Sequence, residues 1–346
     1  GSRIACHFAG IGVQVLLLDR LQPGAEESTN SKERNKLVND ALQASIKSNP
    51  SPIYSSAFTK NIRTGNFTDD MPQIANADWI IEVVVERLDI KKTIYDQVEQ
   101  YRKPGTLVSS NTSGIPIHLM AEGRSEDFQK HFCGTHFFNP PRYLRLLEII
   151  PTPKTDQSVI DFHMHYGDVF LGKTTVLCKD TPAFIANRVG VFSMMSVLHI
   201  MEKMGLTIDE VESLTGPILG RPKSATFRTA DVVGIDTLVK VAAGVAENCP
   251  NDEAKATFTL PSWLVKMVEQ NWLGDKTGQG FFKKVKTATS KEILTLNLAT
   301  LEYEPRKKTK MASIDAAKAV DSLPARLKVL YHSKDKAGQF IQAFHH

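Results

Sequence analysis

The chain has 346 residues, 42% of them hydrophobic and 23% charged, which is ordinary globular composition and long enough for two domains and a tail. Its net charge of +4 does not call for a nucleic-acid partner. No apolar run approaches the roughly 18 residues of a membrane span, so no membrane span is expected either.

Residues 3–10 read as a short apolar helix, with Ile4, Ala5, Phe8 and Ala9 followed by Gly10 as a stop. Val13 to Leu18 then form a continuous apolar run ending in Asp19, the pattern of a buried parallel strand. Leu37, Val38, Ala41, Leu42 and Ile46 share one helical face, which predicts an amphipathic helix over 31–47. Strands are predicted at 79–85, 106–110, 132–137, 146–150 and 174–177. A helix bearing Ile94, Val98 and Tyr101 lies between the first two. Strands alternating with helices predict an α/β, Rossmann-like, doubly wound parallel sheet over residues 1–181.

The pattern changes at Pro182. Helices are predicted at 183–204, 208–215, 235–248 and 262–272, with no strand signal, so residues 182–285 read as an all-helical domain. The stretch 286–346 is rich in Lys and Arg and shows no clear core. It reads as a linker or tail toward a further domain. Cys6, Cys133, Cys178 and Cys249 form no CxxC pair and no zinc-ligand spacing, so a reducing, cytoplasmic compartment and no metal are expected.

A dinucleotide fold opens strand, glycine-rich turn, helix, strand, acid. Here Gly1 stands directly before the first helix, and Asp19 follows 18 residues later. Gly1 then fits the last glycine of a G-x-G-x-x-G turn whose first strand and earlier glycines would lie upstream. The alternatives are an appended Gly1-Ser2 pair ahead of some other complete fold, and a helix-capping or loop role for Asp19.

Four later segments carry more. They are Ser109-Ser110-Asn111-Thr112-Ser113; His136-Phe137-Phe138-Asn139-Pro140-Pro141 with Glu148 twelve residues after the His; Lys179-Asp180-Thr181-Pro182-Ala183-Phe184-Ile185-Ala186-Asn187-Arg188; and Gly274-Asp275-Lys276-Thr277-Gly278-Gln279-Gly280-Phe281-Phe282. In this order and at about these spacings they resemble the 3-hydroxyacyl-CoA dehydrogenase family, over roughly residues 1–285. The resemblance implies oxidation of a 3-hydroxyacyl-CoA thioester with NAD as cofactor, in a site between the two domains. It implies His136 as general base and Glu148 as its orienting acid.

The chemistry agrees with that implication. Alcohol oxidation needs a base near neutral pH, which a His supplies, and a carboxylate on its far nitrogen fixes the tautomer. Taken alone, His136 reads more readily as a strand-end His bonded to backbone than as a base. By the same resemblance Ser113 contacts the substrate hydroxyl or nicotinamide, and Asn187 helps hold substrate. Asn111 and Asn139 face the nicotinamide ribose and ring, and Glu86, Lys91 and Lys276 contact the cofactor. Their plainer readings are a helix cap for Ser113, a solvent-facing mid-helix amide for Asn187, a strand-end acid for Glu86, a surface lysine for Lys91 and a turn lysine for Lys276. Glu82, a carboxylate inside an apolar strand, has no partner that the sequence identifies.

Two rivals stay open. One is another two-domain β-hydroxyacid dehydrogenase, a group in which several families place a lysine where His136 stands. The other is a non-catalytic remnant of the family. The helix at 183–204 carries more apolar surface than one core face needs, so a homodimer or a place in a longer multi-domain chain is expected.

Overall fold

The computed structural model describes residues 1–286 and 291–345. They form two compact units, Gly1–Ile185 and Ala186–His346. The parts of the expected tail at 287–290 and 346 lie outside the described residues.

The first unit runs α1 (Ser2–Gly10), β1 (Val15–Asp19), α2 (Ser31–Arg34), α3 (Lys36–Ile46), β2 (Ile62–Asn66), β3 (Trp79–Glu82), α4 (Leu88–Tyr101), β4 (Leu107–Ser110), α5 (Ile117–Ala121), α6 (Glu126–Lys130), β5 (Phe132–Phe137), β6 (Leu146–Pro151), α7 (Gln157–Val169) and β7 (Thr174–Leu177). β1 and β2 pair in parallel, and β3-β4-β5-β6-β7 form a five-stranded sheet. Strand alternation sends side chains to two cores. On one face Leu16, Leu18, Ile80, Val108 and Phe132 pack with Tyr95 and Val98 of α4. On the other Val15, Trp79, Ile81, Leu147 and Ile149 pack with Ile4 and Phe8 of α1 and Met164 and Tyr166 of α7. This is the expected doubly wound arrangement.

Three local expectations change. The sheet is not wholly parallel, because β5 and β6 run antiparallel. Only residues 138–145 join them, too few for the dozen or more that a parallel crossover requires. The helix expected over 31–47 breaks at Asn35, whose side-chain oxygen accepts from Asn66 Nδ2 at 2.7 Å, an alternative to helical bonding. The strand expected to reach residue 85 stops at Glu82, where Glu82 Oε1 accepts from the amide of Val84 at 2.6 Å and turns the chain.

The second unit begins with α8 (Ala186–Met204), α9 (Ile208–Thr215), α10 (Phe227–Val233), α11 (Ile235–Asn248) and α12 (Ser262–Glu269). Thr207 and Glu210 close α9 with a reciprocal capping box. The unit then departs from expectation. β8 (Phe282–Lys286), β9 (Lys291–Asn297) and β10 (Glu302–Pro305) form an antiparallel sheet, and α13 (Ala312–Lys318), α14 (Leu323–Tyr331) and α15 (Lys336–His345) follow. The stretch read as a coreless linker therefore folds as part of this unit. Leu296, Ile314, Leu330, Phe340 and Ile341 are buried, and α15 packs on α8. One of its cations meets a buried acid. Buried Asp209 accepts from Arg306 Nε at 3.0 Å, from the Lys307 amide at 2.7 Å and from Thr295 Oγ1 at 3.2 Å.

The glycine-rich segment after α12 is tied down the same way. Asp231 accepts from the amides of Phe281 and Phe282 at 2.8 and 3.0 Å, and a Cβ on Gly280 would meet Asp231 Oδ1 at 2.2 Å. Among the described residues no helix is long and apolar enough to cross a membrane.

Candidate functional site

The antiparallel pairing of β5 and β6 sets His136 directly opposite Glu148 in register. Directly opposed residues share a face of the sheet, and the two side chains meet with His136 Nδ1 2.7 Å from Glu148 Oε2. Both are buried. The other carboxylate oxygen, Oε1, accepts from the amide of Ile185 at 3.1 Å. Phe138 and Phe184 flank the imidazole, with ring centroids 4.4 and 5.8 Å away. Phe184 and Ala183 hold left-handed backbone conformations, φ 50° and 62°, which direct the chain from Pro182 back onto the pair. A carboxylate on Nδ1 makes Nδ1–H the donor and leaves the Nε2 lone pair for a proton.

Beside this pair the loop after β4 is pinned by Glu86. Its Oε1 accepts from Thr112 Oγ1 at 2.6 Å and from the amides of Ser113 and Gly114 at 3.0 Å each. Burial pushes the Glu86 carboxyl up, but the Thr112 hydroxyl, the Lys91 ammonium and the two amides outweigh it and hold it below the usual carboxylate range. Asn111 ties this loop to the histidine strand, its Oδ1 accepting from the Phe137 amide at 2.9 Å. Asn139 Oδ1 accepts from Arg3 Nη1 at 2.8 Å, which joins the end of β5 to the first turn of α1.

Gly1 stands at the start of α1, whose first turn carries no side-chain cap and no acid. Asp19 ends β1 with Oδ1 taking the Arg20 amide at 2.7 Å. An uncapped helix N-terminus and an acid at the end of the following strand are two of the features that hold a dinucleotide, and in these two respects the residues fit NAD.

Lys91 departs from its expected place. It is 1% exposed, neither a surface lysine nor a side chain open to a ligand. Its ammonium donates to Glu82 Oε1 and Oε2 at 2.9 and 3.0 Å and lies 3.5 Å from Glu86 Oε2. Its hydrogen bonds thus go to Glu82, and Glu86 stands at ion-pair distance only. Glu82 also accepts from Tyr95 and Ser110 hydroxyls at 3.0 and 2.7 Å, so the carboxylate that the sequence left unexplained has a full set of partners. Sequence reasoning missed Tyr95 and Ser110. Tyr95 lies four residues after Lys91, on the same helical face, and that spacing was the available signal.

The other two candidates belong to the second unit. Asn187 lies in the first turn of α8 rather than mid-helix, and Lys276 forms an ion pair with Asp236. Phe138, Phe184 and the Ile185 amide had no sequence signal, because their contacts with His136 and Glu148 exist only in the folded chain.

Comparisons with known proteins give the family. Residues 1–181 match the 3-hydroxyacyl-CoA dehydrogenase, NAD binding domain, and residues 184–284 match the 3-hydroxyacyl-CoA dehydrogenase, C-terminal domain. A probable 3-hydroxyacyl-CoA dehydrogenase of Bacillus subtilis is 46% identical across 99% of this chain, which spans 44% of that protein's length. A probable 3-hydroxyacyl-CoA dehydrogenase of Deinococcus radiodurans is 44% identical across 83% of this chain, which spans 80% of that protein. The crystal structure of Mycobacterium tuberculosis FadB2 matches with a TM-score of 0.66 at 27% identity, covering 82% of this chain and 95% of that one. The chain belongs to the 3-hydroxyacyl-CoA dehydrogenase family.

Proposed function

We propose that the chain oxidises the 3-hydroxyl of a 3-hydroxyacyl-CoA to a 3-oxoacyl-CoA with NAD, a step of fatty-acid β-oxidation. The observation that carries this reading is the buried His136–Glu148 pair, joined at 2.7 Å through Nδ1. Nε2 of His136 takes the proton of the substrate hydroxyl. Glu148 holds the tautomer that makes Nε2 the base and then stabilises the imidazolium as it forms. Phe138 and Phe184 keep water from the ring, which strengthens that ion pair. NAD, when bound, supplies the acceptor for the hydrogen leaving carbon 3.

Further roles belong to the same proposal. Gly1 and the first turn of α1 hold the pyrophosphate, and Asp19 the adenosine ribose. Asn111, Asn139 and Glu86 line the nicotinamide side. Ser113 bonds the substrate hydroxyl or the nicotinamide, and Asn187 the substrate. Lys276 reaches the cofactor only by leaving its ion pair with Asp236. A reducing, cytoplasmic compartment is supported by four free thiols. A second copy or a further domain is proposed to cover the apolar face of α8, where Val189 and Phe192 are exposed.

His136→Gln tests the reading. Loss of a general base costs about 10² to 10⁴ in rate, so turnover with acetoacetyl-CoA and NADH is expected to fall by several hundredfold or more, roughly, while acyl-CoA binding is kept. Turnover within about tenfold of the parent would remove His136 from the base role.

A further inference from the structure

Glu82 and Lys91 lie beneath the proposed nicotinamide side, and the established pairing of His136 and Glu148 uses neither. Both side chains are 1% exposed, whereas Glu86 is 29% exposed. The three form a chain from the sheet interior to the loop at 112–114. Glu82 grips the Lys91 ammonium with both oxygens at 2.9 and 3.0 Å, and Glu86 reaches the same ammonium only at 3.5 Å. Tyr95, Ser110 and the Val84 amide also donate to the Glu82 carboxylate and fix its position. Glu82 therefore has the stronger claim on the cation. Two carboxylates and one ammonium leave one net negative charge, and it resides on the member that faces outward, Glu86.

We infer that Glu82 is a positioning residue that holds Lys91 away from Glu86, so that Glu86 keeps its negative charge and favours oxidised over reduced nicotinamide. The inference rests on the proposed function, which puts Ser113 and Glu86 at the nicotinamide. Glu86 is within reach, since its Oε1 accepts from the Ser113 amide at 3.0 Å. Oxidised nicotinamide carries a positive charge that the reduced form lacks, so a fixed negative charge stabilises the oxidised form selectively. Without the Glu82 charge, Lys91 would close from 3.5 Å to a direct bond with Glu86 and cancel its charge.

The test follows the charge. Glu82→Gln keeps the shape of the side chain, replaces one of its two accepting oxygens by an NH2 donor, and makes the triad neutral. The double variant Glu82→Gln, Lys91→Met removes one charge of each sign and restores the single negative charge on Glu86. Two measurements are made on the whole chain. The first is the titration midpoint of the Glu86 carboxyl by carbon-13 NMR without cofactor. The second is the ratio of NAD⁺ to NADH affinity by calorimetric titration.

Glu82→Gln is expected to lower the Glu86 midpoint and to weaken NAD⁺ relative to NADH by about three- to tenfold. The double variant is expected to return both readouts toward the parent, although it removes more bonds. A merely structural role predicts the opposite order, with the double variant worse. An unchanged midpoint in Glu82→Gln overturns the inference, and so does a shifted midpoint with an unchanged affinity ratio. If the parent binds neither cofactor, the functional reading fails, and the cofactor half of the inference with it. The Glu86 midpoint then still decides whether Glu82 sets its charge. If the single variant does not fold, a double variant whose Glu86 midpoint differs from the parent's overturns the electrostatic link.

Discussion

Asp19 shows how one residue can set cofactor choice. It closes β1, and one of its oxygens is engaged by the following amide at 2.7 Å. The other is the acceptor proposed for the ribose hydroxyls, and it repels a phosphate placed there. The chain is therefore expected to bind NADH at least about tenfold more tightly than NADPH, the effect of roughly 1.4 kcal/mol of repulsion. Asp19→Ser should narrow the gap, and fluorescence titration of both cofactors checks it. Equal binding by the parent would show that Asp19 does not meet the ribose. His136 and Glu148 were legible as residue types in the sequence, and their contact follows from strand register. Lys91 was misread because a helix position does not state burial. Its place is decided by Glu82, on a strand nine residues earlier.

At the scale of elements, α7 is seated by His163. Its Nδ1–H donates to the Val159 carbonyl at 2.7 Å, and its ring meets Trp79 of β3 edge-on at 4.7 Å. Burial pulls this imidazole from 6.5 to about 4. His7 of α1 is likewise drawn down to about 4, by burial and then by the nearby Lys173 charge. Both are neutral in the folded chain, whereas the unfolded chain takes up protons below about 6.5. Their contribution is therefore fully present above pH 6.5, shrinks as pH falls toward about 4, and is constant below that. Each is worth on the order of 3 kcal/mol at most.

Urea midpoints are expected to drop between pH 7 and pH 5, and His163→Phe should remove about half of that drop. An unchanged drop in the variant would show that His163 is not depressed. Elements with local signals were legible. α9 has its capping box and α11 a long apolar face, and both run over the residues expected. α10 was not, because a seven-residue helix has little pattern of its own, and it is anchored through Asp231 to the amides of Phe281 and Phe282 at the start of β8.

For the whole molecule, residues beyond 285 are structural rather than a spacer. They supply three helices and most of a sheet to the second unit, and they satisfy the buried Asp209. A chain ended after residue 286 should lose several kcal/mol of stability. It removes the bonds of Arg306 and the Lys307 amide to Asp209, strips the buried side chains of Leu330, Phe340 and Ile341, each worth about 1.5 to 3 kcal/mol, and uncovers the face of α8 under α15. Thermal unfolding of the shortened chain checks this. An unchanged melting temperature would restore the reading of 286–346 as a linker.

The amino-acid sequence by itself determined the family, the doubly wound plan of the first unit and the residue types of the candidate site. These rest on local periodicity, on ordered motifs and on the chemistry of single side chains, all of which are written along the chain. Tertiary structure alone decided the antiparallel turn that joins His136 to Glu148, the burial of Lys91 against Glu82, and the folding of a lysine-rich tail onto Asp209 and α8. Each of these depends on which groups meet across the chain. Whether a charge is a surface solubiliser or a buried partner is set by the side chain it meets, and that pairing has no local period to read.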